Sequence, residues 1–144
     1  MNELALRTVQ VMQYKMPEKH LYEYAIVRVV PRVEKEEFIN VGIILCSIQQ
    51  QFLKCSTHLD KTKLQALDPD ADPETIQDHL NAFIRICKGE KAASPIASQN
   101  TASRFRWLTA VRSSMIQTSR PHSGLSPNLE ETFKALFEDY VGTY

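Results

Sequence analysis

The stretch from Tyr22 to Ser47 constrains the fold more than any other part of the chain. It holds two runs rich in β-branched and aromatic residues, Tyr22–Val30 and Phe38–Ser47, joined by the charged connection Glu34–Glu37. Side chains alternate along a strand, so Tyr22, Tyr24, Ile26, Arg28 and Val30 share one face of the first run, and Ala25, Val27 and Val29 the other. Apolar groups on both faces predict a strand inside a sheet covered, at least in part, on both sides. Gly42 in the second run predicts a bulge or a close approach of backbone. Arg28 is the exception in the first run, because a cation in mid-strand is costly unless it finds a partner.

Around this hairpin the chain reads as one α+β domain. Pro31 ends the first strand, Gln49–Gln51 is a turn, and Phe52–Thr57 is a shorter third strand, giving an antiparallel meander. Asp60–Leu67 is a two-turn helix that stops before Asp68-Pro69. Asp72 as N-cap, Pro73 at the first helical position, the stripe Ile76, Leu80, Phe83, Ile84, Cys87 and Gly89 at the end define a second helix. Glu90–Ser103 reads as a mobile surface loop, and Arg104–Leu108 and Met115–Thr118 as short extended pieces. Ser126 as N-cap and Pro127 at the first position open a last helix with the stripe Leu129, Phe133, Leu136, Phe137, Tyr140, Val141, ended by Gly142. The expectation is an antiparallel sheet of three or more strands packed with two or three helices over residues 21–144. Residues 1–20 read as an extension or arm.

The 17 basic and 17 acidic residues cancel, but they are segregated. Lys91 to Leu129 contains no Asp or Glu and carries Lys91, Arg104, Arg106, Arg112 and Arg120, whereas Leu64 to Ile84 carries Asp68, Asp70, Asp72, Glu74 and Asp78 and no Lys or Arg. Three cysteines, Cys46, Cys55 and Cys87, without CxxC or Cys/His spacing, point to reduced core thiols and against a zinc site. No apolar run approaches the roughly 18 residues of a membrane span, and the N-terminus lacks the pattern of a signal peptide. The expected setting is cytoplasmic, with no membrane association and no cofactor or metal.

The residues that suggest chemistry are arginines. Arg28, Arg32, Arg104, Arg106, Arg112 and Arg120, with Trp107, Gln117 and His122 among them, would suit a phosphate-bearing or carboxylate ligand, since a guanidinium offers two donors to two oxygens. The alternative is that these arginines pair with the acidic helix entry and the Glu34–Glu37 turn. His122, between Pro121 and Gly124, offers a general base, with Glu36 or Glu37 as its carboxylate, in a hydrolase or phosphodiesterase-like enzyme. No GxSxG, HExxH or P-loop accompanies it. The His58–Asp60 and Asp78–His79 pairings carry no metal-site signal. Nucleic-acid binding through residues 91–120 is a third reading, disfavoured by the net charge of zero.

Three blocks resemble a known family. Tyr24–Pro31, Glu37–Gly42, and a third block of Arg104–Ala110, Arg112-Ser113, Gln117 and His122–Leu125 together resemble the bacterial domain-of-unknown-function family 3037 from about Tyr22 to Tyr144. The resemblance implies a HipA-like kinase as a possible partner or substrate and no settled activity. It also lays the family blocks over Arg28, Asn40, Arg104, Arg106, Arg112, Gln117 and His122, which with Trp107 form the candidate ligand-binding set. Ala110-Val111 departs from the pattern, a proline being expected there in many members, which leaves the shape of that turn open.

Overall fold

In the computed structural model, which describes residues 17–144, the first strand has a partner on each edge and a layer on each face. Strand β1 (His20–Val29) pairs antiparallel with β2 (Ile39–Ser47), which in turn pairs with β3 (Phe52–Thr57). Two short strands, β4 (Ile116–Thr118) and β5 (His122–Ser126), share the opposite edge of β1, β4 beside Val27–Val29 and β5 beside His20–Tyr24. The result is a five-stranded antiparallel sheet.

Four α-helices cover it: α1 (Lys61–Leu67), α2 (Pro73–Cys87), α3 (Thr101–Leu108) and α4 (Leu129–Tyr140). On one face Ala25, Val27, Val29, Val41, Ile44 and Cys46 pack against Leu64 of α1, Ile76, Leu80, Phe83 and Ile86 of α2, and Phe105 and Leu108 of α3. On the other, Ile26, Ile43 and Leu45 pack against Leu129, Phe133 and Phe137 of α4. Both alternation sets of the opening hairpin are therefore buried, as the doubly apolar pattern requires.

The α+β class, the meander and the cap of the second helix stand as expected: Asp72 accepts the Glu74 N–H at the start of α2, and Gly89 takes the left-handed conformation after it, at φ 75°. Asp60 caps α1 in the same way, accepting from the Thr62 and Lys63 N–H groups. Four features differ. Arg104–Leu108 is not extended but the end of α3, capped by Asn100, with Thr101, Phe105 and Leu108 buried at helical spacing. The polar stretch before it is not a featureless loop: Ser94 caps a 3-10 turn over Pro95–Ser98 that buries Ala97. The last helix is capped by Asn128 rather than Ser126. Asn128 Oδ1 accepts from the Glu131 N–H, two residues beyond the end of β5, to which Ser126 belongs. His122, which the flanking Pro121 and Gly124 suggest as a loop residue, likewise opens β5 and pairs with Tyr24. The proposed N-terminal arm falls almost wholly outside the described residues.

Gly42 meets both expectations. The β1–β2 register skips a residue between Gly42 and Asn40, so Val41 is bulged, and a Cβ on Gly42 would collide with the Ser56 carbonyl oxygen and lie 2.8 Å from Thr57 Cγ2. Gly124 is crowded differently, by the ring and hydroxyl of Tyr22, which can swing away. Equilibrium urea unfolding of Gly42→Ala should therefore show a loss of about 2–3 kcal/mol, because β3 backbone must move, and Gly124→Ala a loss of under about 1 kcal/mol.

The three thiols lie on the α1–α3 face of the sheet and are free. Burial pushes Cys46 up from 9.0 to about 11 and Cys87 to about 12, and holds Cys55 well above its ordinary value. The folded state thus keeps its thiols protonated where the unfolded chain releases protons. Their contribution to stability is full below about pH 9 and declines as pH rises from there through about 11. Urea midpoints measured from pH 7 upward should be level in this respect to about pH 9 and then fall, and a thiol reagent at about pH 8 should label the buried Cys46 and Cys87 of the native chain only as fast as it opens.

Candidate functional site

A cavity of about 320 Å³ lies between α2, α3 and β4. Its walls are the apolar side of α2 (Ala82, Phe83, Ile86), the end of α3 (Trp107, Leu108) and the segment leading into β4 (Met115, Ile116). Arg112, His79, Ser114 and Gln117 supply the polar groups.

Local structure explains how Arg112 is held. Helix α3 ends at Leu108, so its last carbonyls lack intrahelical donors. Thr109 donates to the Phe105 carbonyl through both its N–H and its hydroxyl, and Arg112 donates an Nη2 N–H to the Trp107 carbonyl. The Arg112 guanidinium also lies 4.2 Å from the centroid of the Trp107 ring. One of five N–H donors and one face of the guanidinium are thereby used, which fixes its plane and leaves the other donors for a ligand. Trp107 remains 40% exposed, so the stacked pair is reachable from solvent.

The other candidates are dispersed. Arg28, Asn40 and Gln117 occupy one row across β2, β1 and β4, on the sheet face opposite the Val27 and Val29 side chains that back α1–α3. Arg104 is built into the packing: Nη1 donates to the Gln99 carbonyl at 2.7 Å and the guanidinium lies over Gly89. Arg106 is exposed on α3. His122 is exposed beside Tyr24, with ring centroids 5.5 Å apart. Tyr24 itself is pushed up to about 12, chiefly by its hydroxyl contact with Tyr140. The candidate set therefore divides, with Trp107 and Arg112 at the cavity, Arg28 and Asn40 on the opposite face, and Gln117 both in the Arg28 row and along the cavity's β4 edge.

Two pairings suggested by the sequence do not form. His122 sits beside Tyr24, whereas Glu36 and Glu37 precede Ile39, which pairs with Val29; five strand residues, roughly 16 Å, separate the two places. The acidic helix entry does not meet the arginines. Among the described residues the ion pairs are Arg32–Glu34 at 3.0 Å, which realises the alternative of pairing with the Glu34–Glu37 turn for that one arginine, and Lys54–Glu130 at 2.7 Å. Asp60, Asp68 and Asp72 instead accept local backbone N–H groups.

Sequence reading missed His79. Its adjacency to Asp78 carries no metal signal, whereas His79, Phe83 and Ile86 recur at i, i+4 and i+7 on one flank of α2. Among the described residues no group of three or more His, Cys, Asp or Glu side chains is placed to hold a metal ion, and no helix is long and apolar enough to cross a membrane.

No curated protein and no solved structure matches this chain. One family does, over residues 24–141 of the 144, a span that runs from Tyr24 in β1 through Val141 after α4 and includes the cavity, the Arg28 row and both helical layers. The chain belongs to that family, described as protein of unknown function (DUF3037).

Proposed function

We propose that this protein is a non-enzymatic binding module whose ligand enters the cavity between α2, α3 and β4 and is fixed there by Arg112. The observation that carries this reading is the Arg112 guanidinium stacked 4.2 Å over Trp107 beside walls formed by Phe83, Ile86, Leu108 and Met115. A few polar groups converging on an apolar concavity are the usual form of a small-ligand site, and an ordered guanidinium selects an oxyanion. The ligand class is accordingly an apolar, flat body ending in a carboxylate or phosphate. A segment of a protein partner could present such a group, and the HipA-like kinase implied by the family resemblance is the first partner to try.

Neither rival reading gains support from the geometry. The hydrolase reading needs His122 and a glutamate within reach of one substrate, and they lie at separate levels of β1. The nucleic-acid reading needs a continuous basic track, whereas Arg104 turns onto the Gln99 carbonyl and Arg112 onto Trp107.

Trp107 is the single tryptophan, so its fluorescence reports on the site alone. Benzoate and phenyl phosphate should change its emission saturably, in the millimolar range expected for fragments of about ten heavy atoms, while benzyl alcohol should bind far more weakly. Arg112→Ala should weaken the anions about tenfold or more and leave benzyl alcohol little changed. Equal loss for the neutral probe, or no loss for the anions, would sink the assignment. With a kinase partner, pull-down should be lost in Arg112→Ala and kept in Arg106→Ala.

A further inference from the structure

The cavity leaves Arg28 unexplained. Strand β1 alternates between two apolar cores, and at Arg28 the face that carries Ile26 continues as a cation instead of a hydrocarbon. Helix α4 packs on Ile26, Ile43 and Leu45; beyond them Asn40 is exposed and Phe38 is 46% exposed, so this end of the face opens to solvent. Among the described residues Arg28 Nε is buried without a hydrogen-bond partner, and no carboxylate pairs with the side chain. Its guanidinium lies 4.2 Å from the centroid of the Phe38 ring. A half-buried cation over a ring, with Nε closed off and no counter-charge among the described residues, is left with its two Nη groups as donors for a ligand.

The neighbours are of matching chemistry. Asn40 is the cross-strand partner of Arg28 on β2 and Gln117 its partner on β4, so an amide stands on each side of the guanidinium. Gln117 gives its Nε2 to the Ser114 carbonyl at 2.9 Å, which fixes it and leaves Asn40 as the free donor of the row. The Val41 bulge lies immediately beyond Asn40 and sets the angle at which that residue meets Arg28.

We infer that Arg28, backed by Phe38 and flanked by Asn40, is a second oxyanion site, on the sheet face opposite the Trp107 cavity and independent of it. The ligand group is a carboxylate or phosphate that takes two oxygens to the Nη edge of the guanidinium and a further hydrogen bond from the Asn40 amide.

The test is a titration of the whole chain with sodium phosphate and, separately, sodium acetate, at ionic strength held constant with sodium chloride, followed by 1H–15N NMR at the Arg28 side chain and the Asn40 amide. Saturable shifts at both places support the site, and whichever salt saturates identifies the group. Arg28→Lys keeps the charge and the stem but not the fork and should weaken binding about tenfold, with circular dichroism confirming the fold. Asn40→Ala, at an exposed position, should weaken it about threefold. Arg112→Ala should leave these shifts unchanged, which separates this site from the cavity. Shifts that rise linearly with either salt, or that survive Arg28→Lys intact, would show that Arg28 only packs on Phe38 and would overturn the inference.

Discussion

Burial of β1 on both faces and both edges is the constraint on which the other elements depend. A strand so placed has no solvent to satisfy its backbone, so every N–H and C=O needs a protein partner. Strand β2 supplies one edge from Glu23 to Val29. The other is supplied by two short pieces, and the break between β4 and β5 falls opposite Ile26, in the middle of β1. Ser119 closes that break: its hydroxyl accepts the Ile26 N–H at 2.8 Å and its own N–H donates to the Ile26 carbonyl at 2.9 Å. A buried, unpaired amide there would cost about 1–3 kcal/mol, which is why the chain can change from β4 to β5 at this point without opening the sheet.

The site follows from the lengths of the covering helices. Helix α2 has 15 residues and α3 has 8, so α3 leaves part of the α2 flank around Phe83 and Ile86 facing a concavity rather than another helix. The chain leaving α3 must cross this gap to reach β4, and it carries Arg112 and Met115 across it. Strand β4 is three residues long and, among the described residues, pairs with β1 alone. A cavity wall built from a short edge strand and a loop has more freedom to adjust to a ligand than one built from α2 alone. That places adaptability on the side that bears Arg112 and the fixed apolar surface on the side that bears Phe83.

The elements legible in the sequence were those that carry their own signals. Asp72, Pro73 and Gly89 delimit α2 without reference to anything else, and the doubly apolar pattern of Tyr22–Val30 states its surroundings directly. Elements whose signals are tertiary were not legible. Strand β5 reads His-Ser-Gly-Leu-Ser, with no β propensity to speak of, and exists because β1 offers it an edge. Helix α3 hides its cap, Asn100, in a polar run, and its Thr101, Phe105, Leu108 stripe lies among arginines. At α4 both Ser126 and Asn128 are good caps, and pairing of Ser126 with His20 in the sheet decides between them. The site was half legible for the same reason. Trp107 and Arg112 are near in sequence and meet through a helix end, whereas alternation alone shows that Arg28 faces away from Val27 but not which helix layer takes which face.

The segregated charges of the sequence do not neutralise one another, and the way each sign is used explains why guanidinium donors stay free in a chain of zero net charge. Carboxylates near the helix starts are occupied by backbone N–H groups and hydroxyls; Asp72, for instance, accepts from Thr75 Oγ1 at 2.8 Å and from the Glu74 N–H, and its acidity is strengthened accordingly. A carboxylate engaged in this way has little reason to swing onto an arginine, since it would exchange short, aligned local bonds for an exposed ion pair of about 0–1 kcal/mol. The arginines in turn are oriented by rings, Arg28 by Phe38 and Arg112 by Trp107. Stacking differs from a salt bridge in what it leaves over. A salt bridge spends the donors along one edge of the guanidinium, whereas a ring holds the plane and spends none of them. Both arginines are thus ordered before any ligand arrives, and the entropy of fixing a long side chain is met on folding rather than on binding.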